Sequence, residues 1–406
     1  MKIKVVIGAN YGDEGKGLAT RYFTRQAIQN NEICKNVLFN GGAQRGHTVE
    51  MKDGIRHVFH HFGSGTYDGA DTIFLDNFML SPMDFVNEYY ELTLATKPEI
   101  QIYTIDKCRV VTPYDIILNQ IVELSRGDDR HGSCGNGIWE TCVRYRCSDF
   151  HKTYGELCKM PLHELENYLR SIASWYTYQR LLEYGINDFH TNDKYLIYRN
   201  VLHSRTVLYN YISDFHYMTK KLKIMDGIPC NTIDEDTTTL VCEGGQGLAL
   251  DEDNLRMYPH VTASKTGAAQ IAELCARTNA DIDLEVCYVT RSYFTRHGAG
   301  YFPTECKDGF DDIIDHTNKY NPHQGNFRYG VFDYDEFIER VDSDWNKVRD
   351  YMPNAKKSVM LTHLNEVPVD TLINCVTVQF DNVYTSMTKY AEDVKVYKKG
   401  DKINGR

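Results

Sequence analysis

Two hydrophobic rhythms trade places along this chain. Residues 2–7, 36–39, 72–75, 100–105, 239–241, 285–292, 358–364 and 375–380 are short apolar runs that read as β-strands. Residues 82–92, 113–124, 162–184, 263–277 and 334–351 instead place apolar side chains three and four apart, the spacing of an amphipathic helix. Ser81 can cap the first of these, with Pro82 in the opening turn, where its missing N–H is not needed. A further helix starts at Lys16, with Leu18, Tyr22, Phe23, Ala27 and Ile28 at helical spacing. Such alternation predicts an α/β fold: a large, mostly parallel central sheet with helices on both faces. The stretch from about 155 to 225 departs from it, being helix-patterned and aromatic (Trp175, Tyr176, Tyr178, Tyr195, Tyr198, Tyr209, Tyr211), and reads as a helical insertion. With no internal repeat or low-complexity linker, residues 1–406 read as a single elaborated domain.

A chain of 406 residues can bury a large core. Its net charge of −11 argues against nucleic acid or an anionic membrane surface as partner. The 12 cysteines form no CxxC pair and no zinc-type spacing, Cys142 and Cys147 being the nearest pair of note, so reduced thiols are expected. Neither a leader-like segment nor a long apolar run is present, and a soluble cytoplasmic protein is expected.

Candidate chemistry begins where the first strand ends. Val5-Val6-Ile7 runs into Gly8-Ala9-Asn10-Tyr11-Gly12-Asp13-Glu14-Gly15-Lys16-Gly17. A glycine turn between strand and helix lets backbone N–H groups converge, and the helix N-terminus adds partial positive charge, giving a P-loop-like phosphate loop. The run departs from the standard pattern twice. Asn10 stands at the first glycine, and Gly17 at the Ser/Thr that would hold Mg²⁺. Asp13 is the odd member, because a carboxylate repels phosphate unless it has a metal or a chemical task.

Further blocks follow in order. They are Asn40-Gly41-Gly42-Ala43-Gln44-Arg45-Gly46-His47-Thr48, Leu80-Ser81-Pro82, and Glu243-Gly244-Gly245-Gln246-Gly247 with Leu250-Asp251. Tyr258-Pro259-His260-Val261-Thr262 comes next, then Thr295-Arg296-His297-Gly298-Ala299-Gly300 ahead of Phe302-Pro303-Thr304-Glu305. Together with GDEGKG at 12–17, this ordered set, spanning roughly residues 1–335, resembles the adenylosuccinate synthetase family. The resemblance implies a Mg²⁺-dependent ligase and homodimer that joins L-aspartate to C6 of a 6-oxopurine nucleoside monophosphate through a 6-phosphoryl intermediate. It makes Asp13 the base that removes the ring N1 proton, His47 the acid at the transferred phosphoryl group, and Lys16 a charge on the triphosphate. Gly12, Glu14, Gly15, Gly17, Gly46, Thr48, His363 and Asn365 complete the triphosphate site, with Asp13 and the Gly46 carbonyl as Mg²⁺ ligands. The monophosphate falls to Gln44, Ser133, Cys134, Gln246 and Thr262. Arg144 and Arg146 are both candidates for the arginine that reaches across the family's dimer interface. Arg296, His297 and Arg328 are the candidates for aspartate.

Departures from the family pattern bear on substrates. Ser133 and Cys134 replace two threonines, so the second hydroxyl is lost. In the usual arginine-rich aspartate loop, at 321–330, Arg328 remains, joined by His323 and Gln324. Thr362-His363-Leu364-Asn365 replaces a TKLD segment whose acid reads guanine; the Asn365 amide can both donate to and accept from adenine, and ATP is expected over GTP. These features also resemble the family's viral branch, which joins aspartate to dGMP with ATP and implies a virus-encoded chain. That branch commonly replaces Asp13 with a smaller residue, so the intact Asp13 favours IMP. A nucleotide-binding module without catalysis is the third reading, opposed by the retention of Asp13, Lys16 and His47 together.

Overall fold

The computed structural model describes residues 1–95, 101–225, 237–306, 308–313, 315, 325–367 and 370–398. Among them, ten strands form the main sheet: β1 (Lys2–Gly8), β2 (Ile33–Leu38), β3 (Asp71–Phe74), β4 (Ile102–Thr104), β5 (Leu222–Ile224), β6 (Thr238–Gly247), β7 (Asp283–Arg291), β8 (Lys356–Thr362), β9 (Asn382–Thr385) and β10 (Lys395–Val396). Their spatial order is β5-β4-β3-β2-β6-β1-β7-β8-β9-β10. Every neighbouring pair is parallel except β9 and β10.

Alternating side chains of the central strands serve two faces, as a pleated strand requires. Ile3, Val5, Ile7, Val286, Tyr288, Val359 and Leu361 face helices Ala269–Ala276 and Tyr334–Tyr351. Val6, Val289 and Met360 face helix Lys16–Gln29. A third cluster joins the β3 and β4 end of the sheet to helices Pro82–Ala95 and Pro113–Arg126 and to the insertion, whose helices include Leu162–Ser171, Thr177–Glu183 and Arg205–Lys221. No helix among the described residues is long and apolar enough to cross a membrane.

Three predicted elements are corrected. The run at 375–380 is not a strand: residues from Asp370 to Val376 form a helix, and the strand there is β9. Ile373, Val376 and Phe380 all enter the core, a three-to-four spacing that a continuous apolar run concealed. The helix expected at 263–277 is confined to Ala269–Ala276, because Asp251 holds the Thr266 N–H and the Asp344 carboxylate accepts from the Ala268 N–H at 3.1 Å. Between 162 and 184 the helix widens into a π turn at Ile172–Tyr176, where the Thr177 hydroxyl donates to the Ile172 carbonyl at 2.8 Å.

Parallel strands deliver their C-terminal ends to one edge of the sheet. Gly8, Gly247, Arg291 and Thr362 end β1, β6, β7 and β8 side by side there, and ligands of open α/β sheets bind at that edge.

Candidate active site

The turn after β1 enters helix Lys16–Gln29 through Gly15, whose φ of 95° is left-handed backbone natural to glycine. Gly17 shows why a hydroxyl residue is missing. A Cβ there would stand 2.8 Å from the Thr48 carbonyl oxygen, so the helix start is pressed against the His47–Thr48 backbone. Gly247 plays the matching part from β6, where a Cβ would lie 2.4 Å from the Asn10 carbonyl. Glycines therefore draw three segments together around the turn. Inside it, Lys16 donates to the Gly12 carbonyl at 2.7 Å and lies 4.0 Å from the Glu14 carboxylate. Both side chains are buried, and burial pushes Glu14 up to about 7 and lowers Lys16.

A cavity of about 440 Å³ opens on this turn, lined among others by Asp13, Lys16, Gly46, His47, Thr48, His363 and Asn365. Asp13 is fixed through its backbone, where its carbonyl accepts from the Arg291 guanidinium. Among the described residues, no hydrogen bond reaches its carboxylate. His47 is oriented from behind: Nδ1 lies 2.6 Å from Glu243 Oε1. Glu243 is held in turn by the Ser64 N–H at 3.0 Å, by the Ser64 hydroxyl, and by Arg45 at 3.8 Å. Burial lowers His47 against the opposing pull of Glu243, whereas burial raises Glu243 but is outweighed by Arg45 and His47, which hold it below the usual carboxylate range. The imidazole of His47 is thus gripped by the Glu243 carboxylate through one ring nitrogen. Its Nδ1–H is fixed by the acid and its other nitrogen is left for chemistry.

A second cavity of about 400 Å³ is lined by Gln44, Ser133, Cys134, Gln246, Thr262, Arg296 and His297, and by residues of the helical side such as Glu140 and Arg180. Several of its polar atoms are buried without a partner: both amide atoms of Gln44, Nδ1 of His297 and Nε of Arg296. Native interiors rarely leave such atoms unpaired, so a wall that collects them is built for a polar ligand. The linings of the two cavities approach at the Gln246 backbone: Gln246 lines the second, and its carbonyl carbon would lie 4.0 Å from a Cβ on Gly12, which lines the first.

A family profile described as adenylosuccinate synthetase matches residues 5–397. The chain belongs to the adenylosuccinate synthetase family. An adenylosuccinate synthetase of a Psychrobacter species is 29% identical over 320 residues, 78% of this chain and 67% of that one. One from Caldanaerobacter subterraneus is 28% identical, over 77% of this chain and 68% of its own. In both, the aligned part is about two thirds of the relative's length. The fold is that of a fully ligated adenylosuccinate synthetase from Plasmodium falciparum, at TM-score 0.65 and 18% identity over 97% of this chain and 86% of that one. It is equally that of the cyanophage S-2L succinoaminodeoxyadenylate synthetase bound to dGMP and dATP, at TM-score 0.61 and 14% identity, covering 97% and 95%.

Not every residue suggested by the adenylosuccinate synthetase motifs reaches a cavity. Arg144 is enclosed: its guanidinium pairs with Asp115 at 2.8 Å and donates to the Val110 and Phe150 carbonyls. That internal pairing corrects its candidacy for the monophosphate. Arg146 reaches the surface, 2.7 Å from Glu252. Arg328 is also taken up internally, by Glu305 and by the Gly298 and Gly300 carbonyls at 2.9 Å, and it lines neither cavity. His323 and Gln324 lie outside the described residues. Three contributors went unseen in the sequence. Glu243 had a signal of its own, an acid inside a buried strand directly after the apolar run 240–242, a costly placement without a partner. Arg45 and Arg291 carried no comparable signal.

Proposed function

We propose that the chain condenses L-aspartate with C6 of a 6-oxopurine nucleoside monophosphate, IMP in the first instance, using ATP. The products are adenylosuccinate, ADP and phosphate. The observation that carries this reading is the shared cavity of Asp13, Lys16 and His47, whose Gly12 approaches Gln246 of a second cavity where unpaired polar atoms suit a nucleotide. Asp13 takes the N1 proton as O6 attacks the terminal phosphorus of the triphosphate and the P–O bond to ADP breaks. Lys16 and the N-terminus of helix Lys16–Gln29 hold the polyphosphate. With anionic charge in the cavity, His47 takes up a proton from solvent, and its imidazolium stabilises the transferred phosphoryl group from a position fixed by Glu243. The aspartate amine then adds to C6 and releases phosphate, which carries away O6, while the amine sheds its surplus proton.

The Asp13 carboxylate and the Gly46 carbonyl suit Mg²⁺. Both are hard oxygen donors on the donor cavity, and among the described residues no cluster of three or more His, Cys, Asp or Glu offers a complete protein cage. Such a dication is commonly held by one or two carboxylates plus substrate phosphates. Bound there, it would neutralise charge on the polyphosphate. A homodimer in the cytoplasm is the natural setting, with Arg146 rather than the enclosed Arg144 offered to a partner's monophosphate. Cys134 and Asn365 favour a second reading, dGMP with ATP as in the viral branch. One panel tests both: Mg²⁺, aspartate and ATP or GTP with IMP, GMP or dGMP, following purine absorbance and released phosphate. Turnover with IMP and ATP supports the first reading, and turnover confined to dGMP supports the second. Triphosphate binding without turnover of any monophosphate leaves a binding module.

A further inference from the structure

The ring of Tyr11 lies against two guanidiniums, each 5.3 Å from its centroid, those of Arg296 and Arg340. Arg296 lines the second cavity, while Tyr11 is two residues from Asp13 in the turn that lines the first. Among the described residues no carboxylate pairs with Arg296. It is held by the Tyr301 carbonyl at 2.8 Å, the His260 carbonyl at 3.3 Å and the face of Tyr11. The ring is anchored in turn: Arg340 donates to the Asn10 side chain at 2.7 Å and pairs with Glu336, which accepts from the Tyr11 hydroxyl at 3.1 Å. A buried cation held by π-electrons and carbonyl dipoles keeps its charge available to an anionic ligand. Any shift of the turn moves the surface on which that cation rests.

We propose that Tyr11 is a positioning residue that couples the two cavities: its ring fixes Arg296 on the acceptor side while its backbone forms the turn that carries Asp13. This rests on the reading of the cavities as donor and acceptor sites. Ordering the turn with a triphosphate sets the guanidinium in place for the monophosphate, and by linkage the monophosphate tightens the triphosphate equally.

The test is calorimetric titration of IMP, and separately dGMP, into the protein alone and into protein saturated with Mg²⁺ and the β,γ-imido analogue of ATP. Wild type is expected to bind its monophosphate about tenfold more tightly with the analogue present, a usual size for such coupling. Tyr11→Phe keeps the ring and the factor; Tyr11→Leu brings it to within about twofold of unity while the analogue alone binds as before. Coupling unchanged in Tyr11→Leu, or lost equally in Tyr11→Phe, overturns the role of the ring. A wild-type factor of one, with both ligands bound, overturns the inference and leaves the reaction standing; failure to bind either monophosphate overturns the reading beneath it. Should Tyr11→Leu not fold, hydrogen exchange on wild type decides. The analogue alone is expected to slow exchange in 257–262 and 296–301, and unchanged exchange there contradicts the coupling.

Discussion

On the donor side, the charged groups around the phosphate turn hold one another, His47 on Glu243, Glu243 on Ser64 and Arg45, Lys16 on the Gly12 carbonyl, while the Asp13 carboxylate, Glu14 Oε2 and the Thr48 hydroxyl are left without a hydrogen bond among the described residues. On the acceptor side, Gln44, His297 and Arg296 carry buried atoms with no partner. The difference teaches which tasks need a finished scaffold. Phosphoryl transfer gains from charges that need no reorganisation, so His47 and Lys16 are fixed beforehand, and the Asp13 carboxylate is left open for the proton it is to take. Recognition of a nucleotide gains from groups that remain unsatisfied until the right ligand arrives, because a wrong ligand leaves them unpaired.

The comparison is broken most severely at Asp13. Asp13→Asn is expected to lower kcat by about a thousandfold while ATP affinity, read by titration, stays within a few fold. Equal losses in both would make the carboxylate structural. Glu243→Gln comes next, with kcat down about a hundredfold and both KM values little moved, since the imidazole loses the anion that orients it. On the acceptor side the pattern should invert. Gln44→Leu is expected to raise the KM for the monophosphate about tenfold with kcat nearly unchanged, the mark of lost ground-state binding.

The smallest effect contrasts two buried histidines. The His61 ring accepts from the Ser81 N–H at 2.9 Å among the rings of Phe74, Phe78 and Phe85, and the Glu88 carboxylate beside it takes the His61 backbone N–H rather than the ring. Burial first, then Arg45, holds it well below the usual histidine range. The unfolded chain takes up a proton near pH 6.5 that the folded chain refuses, so stability falls as pH drops below that value, by at most about 1.4 kcal/mol per pH unit. Denaturant titrations at several pH values should show a shallower slope in His61→Leu.

Much of the sheet was legible because buried parallel strands read as apolar runs and the loops between them carry glycine. The strand misread at 375–380 failed where helical spacing was hidden in such a run, and the helix expected from 263 failed because Asp251 and Asp344 captured backbone N–H groups ahead of it. At the site, GDEGKG and GGAQRGHT named the phosphate turn and its histidine, but pairings across the fold have no local signature. Arg144 looked available until the fold buried it on Asp115, and Arg328 until Glu305 paired with it. Glu243 had no visible partner until β6 brought it beneath His47.

The central claim is that the purine oxygen is phosphorylated and leaves as phosphate. IMP carrying heavy oxygen at C6, turned over with ATP, Mg²⁺ and aspartate, tests it most directly by mass analysis of the released phosphate. The account predicts one heavy atom in each phosphate formed. Phosphate bearing only solvent and triphosphate oxygen, with adenylosuccinate still produced, would contradict it.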